Sequence, residues 1–303
     1  MKYSIGVDIG GSHICCSMYE HSNIQILKNT FIHQKVDSKG AANVILNAWA
    51  DAVTQTIKLA GFPAMGIGIA MPGPFDYNQG ISEIKGLGKL GTLYGLNVRK
   101  ELSDRLGFPG SQVRFINDAA AFSIGESIAG EAKKYSKALA ITLGTGLGAS
   151  FLKNSYPVIS SPDVPRGGFL YNQIHKGHLA DEVFSTRGLI THYQKISGHQ
   201  VNNVRELYER VPYDQKAVDC FQWFGKELGQ FIRRYAQDFG AGVLIIGGNI
   251  SRAFDCFGDS LQHEIPDVKI YVSKLGEEAA IIGSALLLDD HYYKNIQPTF
   301  KLM

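Results

Sequence analysis

Two glycine-rich turns offer the most direct chemistry in this chain. Residues 5–12 read Ile-Gly-Val-Asp-Ile-Gly-Gly-Ser and run on into Ile14, Cys15, Cys16 and Met18. Residues 139–148 read Leu-Ala-Ile-Thr-Leu-Gly-Thr-Gly-Leu-Gly and run on into Phe151 and Leu152. Each is an apolar strand, a turn almost without side chains and a second apolar strand, a hairpin whose backbone N–H groups can approach an anion. Asp8 stands beside Gly10 and Gly11, where a carboxylate can orient Mg²⁺ or its water shell while the turn faces phosphate oxygens. The alternative is a turn residue bonding its own backbone. In the second turn, a plain hairpin needing positive φ accounts for one or two glycines, less readily for Gly144, Gly146 and Gly148 together with Thr145. Two such devices imply an internal duplication and a nucleotide as ligand.

The elements that must position these turns alternate along the chain. Residues 40–60 carry Val44, Ile45, Ala48, Trp49, Ala52, Val53 and Ile57 at helical spacing, and Gly61-Phe62-Pro63 stops the helix. The buried strand at 65–70 ends in the stiff turn 71–76, which leads into a glycine-rich stretch reaching Gly95, a natural ligand wall. Asn97 caps a helix ending near Gly107, and the strand 113–116 leads through Asn117 and Asp118 into an alanine-rich helix at 119–132. The second half adds an irregular section at 154–177 and helices near 180–197 and 214–239. The short strand 243–246 ends in Gly247-Gly248-Asn249 before another helix, and a strand at 268–272 precedes a helix at 277–288. This is a mixed α/β chain with two separate sheets.

Length and composition agree. A chain of 303 residues, 45% hydrophobic and 19% charged, buries a large core and divides into two domains. The 30 basic and 28 acidic residues are dispersed, so no footprint for nucleic acid or a membrane surface appears and small-molecule chemistry is favoured. The N-terminus enters a strand at once and no apolar run reaches membrane-spanning length, which predicts a cytoplasmic protein. Cys15 and Cys16 face opposite ways on a strand, and with Cys220 and Cys256 they read as reduced core thiols.

Five motifs in order make the pattern specific: DIGGSH at 8–13, GIAMPGPFD at 68–76, INDAAAFSIGE at 116–126, LGTGLGAS at 143–150 and LIIGGNIS at 244–251. Their order and spacing resemble the ROK family of repressors, open reading frames and sugar kinases, over residues 3–288. The resemblance implies a two-domain actin-like ATPase (ribonuclease H-like) fold, mixed β-sheets with flanking helices and a cleft between domains that holds sugar and ATP. The duplication puts the domain boundary near Asn117, giving domains 1–117 and 118–303, with the last helix packing back on the first. Regulators of the family carry an added N-terminal helix-turn-helix domain, whereas this chain opens on the phosphate hairpin, so the kinase branch is expected.

On this resemblance Asp118 is the base that takes the proton of the acceptor hydroxyl, although Asn117 or Asp118 is also well suited simply to capping the following helix. Asn117 and Gly73 fall on the sugar side. Asp8, Gly10, Gly11, Ser12, Gly144, Thr145 and Gly146 fall on the phosphates, with Mg²⁺ reached through Asp8, while Gly248 and Asn249 fall at the adenosine, the last also readable as a tight strand-to-helix turn. His13 occupies a position where relatives carry Lys or Asn, and reads otherwise as a lone surface histidine.

The sugar side departs from the family. Its Glu-x-Gly-His segment is replaced by Arg166-Gly167-Gly168-Phe169, and no cysteine lies between Cys16 and Cys220, so no structural zinc is expected. Arg166 suits a ligand carboxylate or phosphate, or else lies on the surface. A zinc-free subset that includes polyphosphate-using glucokinases has a Gly-His segment resembling residues 177–182, which brings His178 and Asp181 or Glu182 into play as sugar ligands. Either carboxylate reads equally as first-turn helix charge. His175 and His178, with Asp181 and Glu182 nearby, are the one cluster that suggests a metal, and the two read more simply as solvated loop histidines. The expected activity is ATP- and Mg²⁺-dependent phosphorylation of a hexose or hexose derivative, glucokinase-like, by a homodimer whose domain closure excludes water. A sugar or sugar-acid binding protein without efficient turnover and a polyphosphate-dependent kinase are the alternatives.

Overall fold

The computed structural model describes residues 2–86 and 88–303. Met1 and Leu87, parts of the expected N-terminal strand entry and of the glycine-rich loop, lie outside them. The chain forms two compact units, Met1–Lys133 with Ser155–Pro157 and Leu275–Met303, and Lys134–Asn154 with Val158–Lys274.

The first unit holds β1 (Tyr3–Ile9), β2 (His13–Glu20), β3 (Gln25–Ile26), β4 (Ile32–Lys35), α1 (Ala42–Ala60), β5 (Ile67–Met71), β6 (Phe75–Asp76), β7 (Ile81–Ser82), α2 (Val98–Leu106), β8 (Val113–Asn117) and α3 (Asp118–Ala129). Its sheet runs β3-β2-β1-β5-β8, with β4 on β2. β1 and β2 are antiparallel, whereas β1, β5 and β8 are parallel. The second unit repeats the scheme. β9 (Lys137–Leu143) pairs antiparallel with β10 (Leu147–Lys153), and β14 (Val243–Gly247) and β15 (Lys269–Val272) join it in parallel. Between these in the chain come β11 (Tyr156–Val158), whose first two residues count with the first unit, the hairpin of β12 (Ile174–His175) and β13 (His178–Leu179), α4 (Ala180–Val183), α5 (Thr186–Ser197), α6 (Val204–Arg210) and α7 (Gln215–Phe239); α8 (Phe254–Glu264) follows β14. α9 (Glu277–Ala285) and α10 (Asp290–Ile296) return to the first unit.

Strands of the parallel core are buried along nearly their whole length, as expected of a sheet covered by helices. α1 buries Ile45, Leu46, Trp49, Ala52, Val53 and Thr56, and Gly61 closes it in the left-handed conformation. Val44, read from the sequence as part of that stripe, is exposed. The helix expected over 180–197 is interrupted, because Ser185 accepts the Gly188 N–H at 3.4 Å and starts a new helix. Asn97 caps α2 as expected, and Asp214 caps α7. No helix among the described residues is long and apolar enough to cross a membrane.

α9 is seated backbone to backbone. Gly6 and Gly68 are register partners on β1 and β5, and a Cβ built on them would stand 2.0 Å from Ile281 O and 1.8 Å from Ser284 O. Against α3 the approach is reciprocal: a Cβ on Gly125 would stand 1.9 Å from Ala279 O, and one on Gly283 1.9 Å from Ala121 O. Because α3 begins at Asp118 and lies on α9, the first unit extends past Asn117 to Lys133 and takes in residues 275–303.

Gly68→Ala and Gly125→Ala should each destabilise the fold by about 3 kcal/mol, since the backbone itself must shift. Gly91→Ala, where a Cβ meets nothing within 4 Å, should stay within about 0.5 kcal/mol in the same urea titration.

Candidate functional site

In the first unit the parallel strands bring their C-terminal ends into line. Asp8 pairs in register with Ala70, Ala70 with Ile116, and Met71 with Asn117. Asp118 follows as the first residue of α3. The carboxyl edge of a parallel sheet is where such folds collect ligands, because the loops leave there and the helix N-termini point there. Asn117 caps α3, its Oδ1 accepting the Ala120 N–H at 3.1 Å, and its Nδ2 donates to Asp118 Oδ1 at 3.1 Å and to the Tyr77 hydroxyl at 3.4 Å. Tyr77 donates in turn to Met71 O at 3.0 Å, and Gly73 lies next to that hydroxyl, a Cβ there standing 3.3 Å away. Asp118 Oδ1 also accepts the Ala119 N–H at 2.9 Å. The capping role therefore belongs to Asn117, and Asp118 is a held carboxylate beside it.

Electrostatics mark the same edge. Burial pushes Asp8 up to about 7, and the neighbouring carboxylates Asp118 and Glu277 push the same way. Burial also raises Asp118, while the Ala119 N–H and the Lys89 ammonium pull it back. Lys89 lies over the first turn: a Cβ on Gly11 would stand 3.2 Å from its Cδ and 3.4 Å from its Nζ. Sequence reading passed over Lys89, although it is the one charged residue of the glycine-rich stretch 86–95. Glu277 was missed as well, because only the fold brings residue 277 to residue 8. His13 is not a lone surface residue, since its Nε2 lies 3.3 Å from Glu277 Oε1.

Both glycine turns close on themselves first. The Gly10 N–H donates to His13 O at 2.9 Å, and the Gly144 N–H donates to Gly146 O at 3.1 Å. The first N–H of each turn is thereby committed within the protein. None of Gly10, Gly11, Gly144 and Gly146 has positive φ, so the hairpin geometry alone does not call for glycine. Gly146 is explained by Asp181, whose Oδ1 would stand 2.5 Å from a Cβ there and accepts the Leu147 N–H at 2.8 Å. At Gly144 a Cβ would meet nothing within 4 Å. Neither backbone strain nor packing in the protein itself demands glycine at that position.

Elsewhere in the second unit, Gly248 sits at φ 82° with its α-hydrogen face against Leu143 O, a built Cβ standing 2.3 Å away. The Gly248-Asn249 turn is thereby held beside the end of β9, and both its residues are exposed. Arg166, His178 and Glu182 are exposed too. His175 corrects its expectation as a solvated loop histidine: it is buried, with Nε2 2.7 Å from Glu227 Oε2, and Lys176 reaches Glu227 Oε1 at 2.7 Å. Burial works to raise the Glu227 carboxyl, but these two partners leave it below the usual range. All four cysteines are free thiols.

The ROK family profile matches residues 4–162, and the chain belongs to that family. It is 25% identical over 318 residues to the glucokinase of Thermotoga maritima, an alignment covering 94% of this chain and 97% of that protein. The ROK hexokinase from Thermus thermophilus matches the fold with a TM-score of 0.78 at 21% identity, covering 95% of this chain and 99% of the other. A ROK family glucokinase from Streptomyces griseus, solved with glucose and AMPPNP, matches with a TM-score of 0.73 at 21% identity, covering 94% and 98%. The fold is the two-part actin-like ATPase architecture with mixed sheets and flanking helices.

A raised carboxylate opposes folding once it must ionise. The native state keeps the Asp8 proton between about pH 4 and 7 where the unfolded chain gives it up, so this group's contribution is lost as pH rises through that window. Asp8→Asn should therefore melt higher than the parent at pH 8, by up to about 4 kcal/mol of stability, with the gap closing towards pH 4. Melting curves of ligand-free protein across that range check it.

Proposed function

We propose that this ROK-family chain is an ATP-dependent sugar kinase acting on a hexose or hexose derivative. The observation that carries the reading is the grouping of Asp8, Asp118 and Lys89 at the carboxyl edge of β1, β5 and β8 beside a glycine turn. Phosphoryl transfer needs a carboxylate to orient and deprotonate the acceptor, cations to neutralise the migrating charge, and a backbone cradle.

In this mechanism Asp118 accepts the proton of the sugar hydroxyl as that oxygen bonds to the γ-phosphorus and the bond to ADP breaks. Its raised affinity for a proton, from burial, makes it a better base than a solvated carboxylate. Asn117, held through Tyr77 to the end of β5, fixes the carboxylate's orientation and faces the sugar with Gly73. Gly11, Ser12, Thr145 and Gly146 supply backbone or hydroxyl donors to phosphate, Gly10 and Gly144 keep side chains out of its way, and Lys89 adds positive charge. Asp8 is a hard oxygen donor suited to Mg²⁺ or its waters, and the surplus of carboxylates there fits a divalent cation, which supplies charge neutralisation when bound. Gly248 and Asn249 serve the adenosine. Arg166, His178 and Glu182 serve the acceptor.

The replacement of the family's Glu-x-Gly-His by Arg166-Gly167-Gly168-Phe169 favours a second reading, a sugar-acid binding protein with little turnover. ADP release measured over a panel of hexoses and sugar acids, with ATP or polyphosphate as donor, separates the two. A kinase shows sugar-stimulated release that falls about 10³-fold in kcat for Asp118→Asn with KM little changed. A sugar that raises the melting temperature without stimulating release supports the binding protein instead.

Gly144→Ala separates a ligand cradle from a structural turn. Folding stability should stay within about 0.5 kcal/mol, while the nucleotide KM rises roughly tenfold, a loss of about 1.4 kcal/mol of binding. An unchanged KM would remove Gly144 from the proposed phosphate site.

A further inference from the structure

We propose that His13, Cys15, His33 and Glu277 form a binding site for one zinc-class divalent cation beside the first glycine turn. Their ligand atoms all lie within 4.8 Å of one another. The grouping follows from topology. His13 and Cys15 are two residues apart on β2 and so project from the same face, and His33 on β4 is the cross-strand partner of Cys15. Glu277 arrives as the first residue of α9.

The geometry is close to that of a tetrahedral site. Zinc–nitrogen and zinc–oxygen bonds near 2.0 Å and zinc–sulfur near 2.3 Å put neighbouring donors roughly 3.3–3.8 Å apart. Glu277 already reaches both neighbours through its two oxygens, Cys15 Sγ to Oε2 at 3.2 Å and His13 Nε2 to Oε1 at 3.3 Å, so either oxygen taken as the ligand supplies one edge of that figure. The His13 and His33 rings already face each other with centroids 4.9 Å apart. His33 is exposed, so closing the remaining edges by about an ångström is a rotamer adjustment and leaves the strands in place. On ligation the Cys15 thiol loses its proton to solvent as the metal–sulfur bond forms, and both imidazoles bind in the neutral form.

Donor chemistry decides which ion. One thiolate, two imidazoles and one carboxylate suit Zn²⁺ or Co²⁺ and reject Mg²⁺, which demands six oxygen-type ligands. The donor set differs from the oxygen ligands suited to the Mg²⁺ assigned to Asp8, the cross-strand partner of Cys15, and the site stands whether or not the kinase reading holds. Four protein ligands leave no position for a reacting water, so the ion would brace β2 and β4 to the start of α9. The first turn is included in that brace, since a Cβ on Gly10 would stand 3.0 Å from the His13 ring.

The test is a titration of chelator-stripped, untagged protein with Co²⁺. One equivalent should bring up the visible bands of four-coordinate cobalt together with a thiolate-to-cobalt charge-transfer band, both abolished by Zn²⁺ and untouched by excess Mg²⁺. Zn²⁺ should also raise the melting temperature as its free concentration increases. Cys15→Ser should lose the charge-transfer band. Because Cys15 is buried, the exposed variants His33→Gln and Glu277→Gln are measured beside it, with circular dichroism confirming their fold; each should weaken Co²⁺ binding at least tenfold. No saturable cobalt spectrum from the folded parent, or a spectrum that both exposed variants leave unchanged, would overturn the site.

Discussion

The contact on which the first unit depends is the seating of α9 directly on backbone. Ordinary side chains would hold a helix farther from a sheet than the separation seen here, and only at the glycine positions 6, 68, 125 and 283 can carbonyl oxygens stand where Cβ atoms would otherwise be. Ser284 ties the same helix to β1, its hydroxyl accepting the Val7 N–H at 3.1 Å. With the helix that close, its first residue Glu277 reaches His13 and Cys15, and α3, packed on its other side, starts at Asp118. The positions of the carboxylates near the first turn are consequences of this one approach.

That placement is electrostatically unfavourable for the protein alone. Burial raises both Asp8 and Asp118, and at Asp8 the neighbouring carboxylates Asp118 and Glu277 add to the effect. Lys89 offsets part of it. A fold that keeps carboxylates short of water and of countercharge stores an affinity for cations, and this arrangement is what supports the proposal of a site at the edge of β1, β5 and β8.

The duplication seen in the two glycine turns extends to topology. Each unit begins with an antiparallel hairpin, β1–β2 or β9–β10, whose first strand is then joined by parallel strands, β5 and β8 or β14 and β15. The turn falls at the same place in both. Different neighbours then settled different details: Gly11 lies beneath Lys89, whereas Gly146 makes room for the Asp181 carboxylate.

Local chemistry was legible from the chain because it depends on near neighbours. The hairpins with their glycine turns, the capping of α2 by Asn97, the apolar stripe of α1 and the junction of strand and helix at Asn117-Asp118 all follow from propensity, periodicity and side-chain reach over a few residues. The sequence by itself also determined the family, through five motifs in order. Only the tertiary structure decided which of Asn117 and Asp118 caps the helix, that His175 is buried against Glu227, that Lys89 covers Gly11, and that Glu277 meets Asp8, His13 and Cys15. The first is a choice between two adjacent side chains; the others are contacts between residues tens to hundreds of positions apart. No local pattern encodes such distances, because they are set by where whole helices and strands can approach, and here by four missing side chains.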